Sequence, residues 1–249
     1  NFSPIANCSV EGGSVKPIFN FAAKPASTGL DDFTQDAPGD GTITWNDGNV
    51  VLKANSGGRY LIDDPGTLDG CTNLLLDAAM DGDFDVRATI DGTDGENMYA
   101  FLLYRIDDTN LAGMAYNPSN GAANTYKWVD GTRSILSTDS VSTDATVVLR
   151  LVRSGNDFTT YISVDGCSSW TPLHTETQAF ATDGNICLAV DNNNTESAKF
   201  TRLEFASGFT GTAKFFVNTS CGFAMDAGAG DSFDISTAAA SATGAPAPT

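Results

Sequence analysis

Short apolar runs recur along the chain every 8–12 residues, each bounded by Gly, Asp, Asn, Ser or Pro. Runs of this length and spacing predict strands separated by turns, not helices. The expected strands are 42–45, 50–54, 59–63, 73–77, 84–90, 98–105, 111–117, 125–129, 133–136, 146–153, 158–164, 185–191 and 199–206. Two more strand-like runs lie outside this block, at 15–21 and 212–217. In 146–153 the alternation puts Val147, Leu149 and Leu151 on one face and Val148, Arg150 and Val152 on the other. A strand apolar on nearly both faces belongs between packed layers.

The turns have their own chemistry. Nine Asp-Gly dipeptides punctuate the chain, and Asp-Gly suits two-residue hairpins because both central residues of a type I′ turn need positive φ. Centring one turn on Asp130-Gly131 pairs Val129 with Thr132, Trp128 with Arg133 and Tyr126 with Ile135. Tyr126, Trp128 and Arg133 then share a surface.

The pattern predicts an all-β antiparallel sandwich over residues 30–206, flanked by extensions at 1–29 and 207–249, the second ending in an Ala/Ser/Thr/Pro-rich tail. Composition agrees. Of 31 acidic residues only Glu11, Glu96, Glu176, Glu196 and Glu204 are Glu, and Asp with Gly makes turns where Glu with Lys makes helices. A net charge of −18 argues against nucleic acid, which needs clustered Lys and Arg. It argues equally against anionic membrane surfaces, and no apolar run reaches the roughly 18–20 residues of a membrane helix. The single histidine, His174, leaves little room for zinc or Ser-His-Asp chemistry.

Several features point outside the cell. The chain opens on Asn1 rather than Met, as a processed secreted chain does. Four N-x-Ser/Thr sequons start at Asn1, Asn7, Asn193 and Asn218 and are glycosylation candidates. Cys8, Cys71, Cys167, Cys187 and Cys221 form no C-x-x-C pair and read as disulfide candidates with one thiol left over. Cys8 and Cys221, both near the ends, are the expected partners; Cys187, inside an apolar strand, reads as a buried thiol.

The stretch 83–205 resembles a known pattern. It runs Asp83-Phe-Asp-Val-Arg-Ala-Thr-Ile, Phe101-Leu-Leu-Tyr-Arg-Ile-Asp and Val148-Leu-Arg-Leu-Val-Arg-Ser-Gly-Asn-Asp-Phe-Thr-Thr-Tyr-Ile-Ser-Val-Asp-Gly. Ser169-Trp-Thr-Pro-Leu, Asn185-Ile-Cys-Leu-Ala-Val and Phe200-Thr-Arg-Leu-Glu-Phe complete it. This resembles the concanavalin A-like lectin/glucanase jelly roll, closest to laminin-G-like accessory domains of secreted bacterial proteins and glycosidases. The resemblance covers about half the chain well and leaves both ends uncovered. It implies a fold, and by family position a core role for Trp170; fold alone does not imply function.

Retaining glycosidases of this superfamily carry two Glu flanking an Asp at alternate strand positions, a spacing suited to a nucleophile and a general acid. No such motif occurs here; Asp81, Asp83 and Asp85 alternate, but read as a turn and a solvated strand. The expectation is therefore a chain that is not an enzyme. Oxygen-rich loops suggest Ca2+ as a cofactor, with Asp31, Asp32, Asp63, Asp64 and Asp191 as candidate ligands.

Two functions remain. The first is an extracellular structural subunit whose partners are copies of itself, joined through the terminal runs at Val15, Ile18, Phe19 and Phe21 and at Phe215, Phe216 and Val217. An unpaired strand either tucks onto its own sheet or is donated to a neighbour. The alternative is a carbohydrate-binding module of an extracellular protein. Its partner is a glycan stacked on Tyr104, Tyr116, Tyr126 and Trp128, with Arg133 beside them, along a concave sheet.

Overall fold

The computed structural model describes residues 33–46, 49–57, 60–63, 65–80, 82–178, 180, 183–191 and 196–207, with backbone alone for 6–11, 14–20, 78, 213–217 and 223–227. The strands are β1 (Ala6–Glu11), β2 (Ser14–Asn20), β3 (Phe33–Asp36), β4 (Thr42–Asn46), β5 (Asn49–Lys53) and β6 (Thr72–Met80). There follow β7 (Phe84–Asp91), β8 (Tyr99–Arg105), β9 (Leu111–Asn117), β10 (Ala122–Val129), β11 (Thr132–Ser140) and β12 (Thr146–Ser154). The last six are β13 (Asp157–Ser163), β14 (Thr171–Thr177), β15 (Gly184–Asp191), β16 (Ser197–Ser207), β17 (Ala213–Val217) and β18 (Phe223–Ala227).

These strands form an all-β sandwich of two antiparallel sheets. The nine-stranded sheet runs β1-β2-β16-β7-β12-β13-β14, with β5 also on β16 and β4 on β5. The seven-stranded sheet runs β11-β10-β9-β8-β15-β6-β3, and β17 pairs with β18. The Asp130-Gly131 hairpin has the expected register, Val129 to Thr132, Trp128 to Arg133 and Tyr126 to Ile135. Its turn residues sit at φ 51° and 78°, which Gly131 adopts without a steric penalty.

The main core lies between the sheets. Val86, Ala88 and Ile90 of β7 and Val147, Leu149 and Leu151 of β12 face Leu102 and Tyr104 of β8, all fully buried. The predicted alternation of β12 thus holds on its inner face. On its outer face the reading changes, because Val148 is buried but Arg150 and Val152 stay partly exposed.

The seven-stranded sheet differs, since β9 is buried along its whole length and β8 at its five central residues. A second apolar cluster explains this. Phe101, Leu103, Ala115, Trp128, Cys187 and Ala189 lie under Leu61, Ile62, Leu68 and Cys71. The segment between β5 and β6 therefore plugs the outer face of this sheet. Residues 60–63, expected as part of a strand, are irregular, because their N–H groups leave the ladder for a side chain. Asp191 Oδ1 accepts from Tyr60 N at 3.0 Å, and Oδ2 accepts from Leu61 N and Ile62 N at 2.7 and 2.9 Å. Trp128 Nε1 donates to Leu61 O at 2.9 Å.

The terminal runs find partners within the chain. β2 pairs with β1 along its length and with β16 at Ile18–Glu204, Phe19–Leu203 and Asn20–Arg202. The backbone of Phe215, Phe216 and Val217 pairs with Met225, Ala224 and Phe223 of β18. Val15, Ile18 and Phe19 are thus tucked onto their own sheet rather than left for donation, which removes the reason for expecting strand exchange; Phe21 lies outside the described residues.

Candidate functional site

The expected sugar platform does not exist as a surface. Tyr104 and Tyr116 point into the main core, whereas Tyr126 and Trp128 point into the plugged cluster. All four are 0–3% exposed. Burial and the cross-sheet split have one cause: side chains alternate along each strand, and both faces of this sheet are covered. Tyr104 Oη donates to Met80 O and Tyr116 Oη to Ser142 O. Tyr126 Oη accepts from Asn124 Nδ2, and burial raises its pKa to about 12. Arg133 lies opposite Trp128 on the edge strand β11, partly exposed, while the Trp128 ring itself is buried.

The other expected sites are redistributed in the same way. Asp191, a candidate calcium ligand, is 1% exposed and has both oxygens engaged by the plug. Burial raises its pKa against the pull of those three N–H donors. Asp63 is exposed, while Asp31, Asp32 and Asp64 lie outside the described residues. Among the described residues no three His, Cys, Asp or Glu side chains gather as metal ligands. Cys71, Cys167 and Cys187 are free thiols, which corrects the disulfide expectation for Cys71 and Cys167 and agrees with the reading of Cys187 as a buried thiol. Desolvation drives Cys71 well above the ordinary thiol value and Cys187 to about 12. The side chain of Cys8, all of Cys221, the side chain of Asn7, and Asn1, Asn193 and Asn218 lie outside the described residues.

What the structure does assemble lies on the outer face of the nine-stranded sheet. Alternation sends Phe84, Val86 and Ala88 inward and leaves Asp85 and Arg87 outside. The register then sets Glu204, Arg87, Arg150 and Tyr161 side by side across β16, β7, β12 and β13. Two arginines directly opposite one another would repel. Carboxylates beside them offset this, Asp85 on the diagonal from Arg150 and Glu204 directly across from Arg87. Arg150 donates bidentately to Asp85, from Nε at 2.9 Å and from an Nη at 2.6 Å, and these bonds raise its pKa. Arg87 lies 3.7 Å from Asp85 through Nε and donates to Glu204 at 3.0 Å, and Arg202 reaches the other Glu204 oxygen at 2.5 Å. The result is a ladder in which charge alternates, Arg150–Asp85–Arg87–Glu204–Arg202.

Aromatic rings close one end of it. Trp170 stacks over Arg87 and Arg150, at 5.4 and 5.2 Å from ring centre to guanidinium carbon, and Tyr161 lies 4.9 Å from Arg150. Each such contact contributes about 0.5–2 kcal/mol, more when water is excluded. Trp170 is therefore a partly exposed ring on the sheet's outer face, and its expected core role is corrected.

The loop that carries Trp170 is built by one aspartate. Asp165 accepts from Ser163 Oγ at 2.7 Å, from Ser169 N at 2.9 Å and from Ser169 Oγ at 2.5 Å. The Ser169 bonds lead in holding its carboxyl down at about 2. Gly166 and Cys167 both take positive φ, 69° and 74°, an uncommon conformation for cysteine that the Ser163–Asp165 network holds in place. Cys167 is thereby set among Arg87, Arg202 and Glu204; burial raises its pKa and Arg87 opposes the rise. Two small voids elsewhere, one lined by Thr125, Thr160 and Glu176 and one by Asp94 and Lys199, are each about 10 Å³. That is room for one water, and neither holds a sugar.

The residues of this ladder escaped sequence reasoning. A trace existed: Asp85-Val86-Arg87 and Arg202-Leu203-Glu204 both place opposite charges two apart, on one strand face. Only the register shows that the two pairs are neighbours.

No family model and no curated protein sequence matches the chain. Solved structures share its fold. A Bacteroides ovatus xyloglucan-locus protein, GH43B, aligns with TM-score 0.57 at 18% identity over 76% of this chain and 38% of its own. A xylan β-1,4-xylosidase from Bacillus halodurans aligns with TM-score 0.56 at 13% identity over 76% of this chain and 39% of its own. The carbohydrate-binding module CBM66 from Bacillus subtilis aligns with TM-score 0.49 at 15% identity over 68% of this chain and 92% of its own. At these identities the likeness shows an all-β sandwich fold and no more. The chain spans less than half the length of the two hydrolases. Their presence among its structural neighbours overturns the expectation of a chain outside enzymes, since this sandwich occurs within glycoside hydrolases.

Proposed function

We propose that the chain is a carbohydrate-binding module acting outside the cell, with its site on the outer face of the nine-stranded sheet. One observation carries this reading. Trp170 is a partly exposed ring fixed beside a row of planar, preorganised hydrogen-bonding groups, Arg87, Arg150, Asp85 and Glu204. A pyranose presents an apolar face to stack and equatorial hydroxyls to bond, and this arrangement offers a partner for each. The ladder is held by its own ion pairs before any ligand arrives, so little ordering cost falls on binding. The first reading, a self-assembling filament, loses its support, because the strands expected to be donated pair within the chain.

Retention of Trp170→Ala on a polysaccharide panel tests the proposal. The variant is expected to lose retention while keeping the wild-type melting temperature within a few degrees, since its ring lies outside both apolar clusters. Wild-type protein retained on no glycan, or Trp170→Ala retained like wild type, overturns it.

A further inference from the structure

We infer that this site selects sugars bearing an anionic group, a carboxylate or a sulfate ester, with Trp170 under the ring and Arg202 taking the charge. The inference rests on the carbohydrate-binding reading above and adds the ligand class.

The first argument is the charge count along the ladder. Three guanidiniums, Arg87, Arg150 and Arg202, share two carboxylates, Asp85 and Glu204, which leaves one positive charge over. The second is where that surplus sits. Arg150 is saturated by its bidentate bond to Asp85 and enclosed by Tyr161 and Trp170. At the other end Glu204 is divided between Arg87 and Arg202. Arg202 is the open member, its side chain 43% exposed against 22–24% for the other two. A neutral hydroxyl leaves this surplus charge unbalanced, whereas an oxyanion against the open side of Arg202 balances it.

The net charge of −18 does not cancel this local preference. At physiological salt the screening length is about 8 Å, against a radius of gyration of about 18 Å for a chain of this size. Acidic turns on the far side of the molecule are thus largely screened from the ladder. At low salt the overall repulsion returns, and at high salt the local attraction is itself screened. Affinity for an acidic glycan is therefore expected to peak at intermediate ionic strength.

The full chain is tested on neutral and acidic polysaccharides in pairs: galactan with polygalacturonate, xylan with glucuronoxylan, dextran with dextran sulfate. The expected result is retention on an acidic member and not on its neutral counterpart, lost in Trp170→Ala. Arg202→Gln should weaken it about tenfold, the worth of one charge-assisted bond, with partial recovery in Arg202→Lys. The pair that responds distinguishes carboxylate from sulfate. Trp170-dependent retention on neutral members alone overturns this inference and leaves the module reading intact. Equal retention of both members, indifference to Arg202→Gln, or retention indifferent to Trp170→Ala also overturns it. Retention on none removes both proposals.

Discussion

Asp191 fastens the plug that closes the seven-stranded sheet, and removing its carboxylate tests that claim quantitatively. The residue is 1% exposed and receives three backbone N–H groups at 2.7–3.0 Å from a segment about 130 positions away in sequence. Asp191→Ala leaves all three donors without an acceptor. An orphaned buried donor costs about 1–3 kcal/mol, and local relaxation recovers part of the total, so the variant should lose about 3–5 kcal/mol. Asp191→Asn keeps one acceptor oxygen and should lose about 1–3 kcal/mol. Denaturant unfolding followed by tryptophan fluorescence gives the loss, and amide exchange at Tyr60, Leu61 and Ile62 should accelerate in step. A loss under about 1 kcal/mol for Asp191→Ala, with exchange at those amides unchanged, would refute the reasoning.

The pH dependence carries its own sign. Burial holds the Asp191 pKa above the ordinary carboxylate value. An acid raised in the folded state favours the protonated folded chain. That contribution is fully present below the unfolded pKa of about 4 and is lost as pH rises through the folded value. Wild type should therefore gain stability relative to Asp191→Asn on acidification from pH 7 to 4.

Two further outcomes are expected. Asp165→Ala should free the Trp170 loop: amide exchange of Cys167 and Ser169 rises and glycan retention falls, with little change in melting temperature. Because the Asp165 pKa is lowered to about 2, its contribution is present above about pH 4 and fades as pH falls towards 2, so wild type should loosen at this loop in that window; unchanged exchange at Cys167 contradicts it. Gly66→Ala should destabilise by about 1–3 kcal/mol, since the added Cβ would stand 2.4 Å from Trp128 Nε1 and 2.7 Å from Leu61 O; a variant as stable as wild type in denaturant means that the plug moves aside freely.

Local features were legible in the chain and distant ones were not. Asp130-Gly131 announces its hairpin because the turn needs two positive φ values and the pairing follows from the turn. Of the other Asp-Gly pairs, Gly70, Gly95 and Gly166 take positive φ, but Gly41, Gly82, Gly92 and Gly184 do not, so the dipeptide marks a corner without specifying its type. Trp128 and Trp170 show where such reading stops. The carbohydrate-binding alternative takes the first as surface, and the family resemblance takes the second as core. The structure reverses them, because the Tyr60–Cys71 plug covers one and a five-residue charge ladder supports the other.

By itself the sequence determined the class of fold, the positions of most strands and the inner face of β12. Period-two alternation and turn chemistry act over a few residues and need no partner to be read. The tertiary structure alone decided which surfaces are open. Asp191 meets Leu61, and Arg87 meets Glu204, only once segments more than a hundred positions apart are brought together by the fold. Exposure is a property of what a face is packed against, and that partner is chosen by the whole fold.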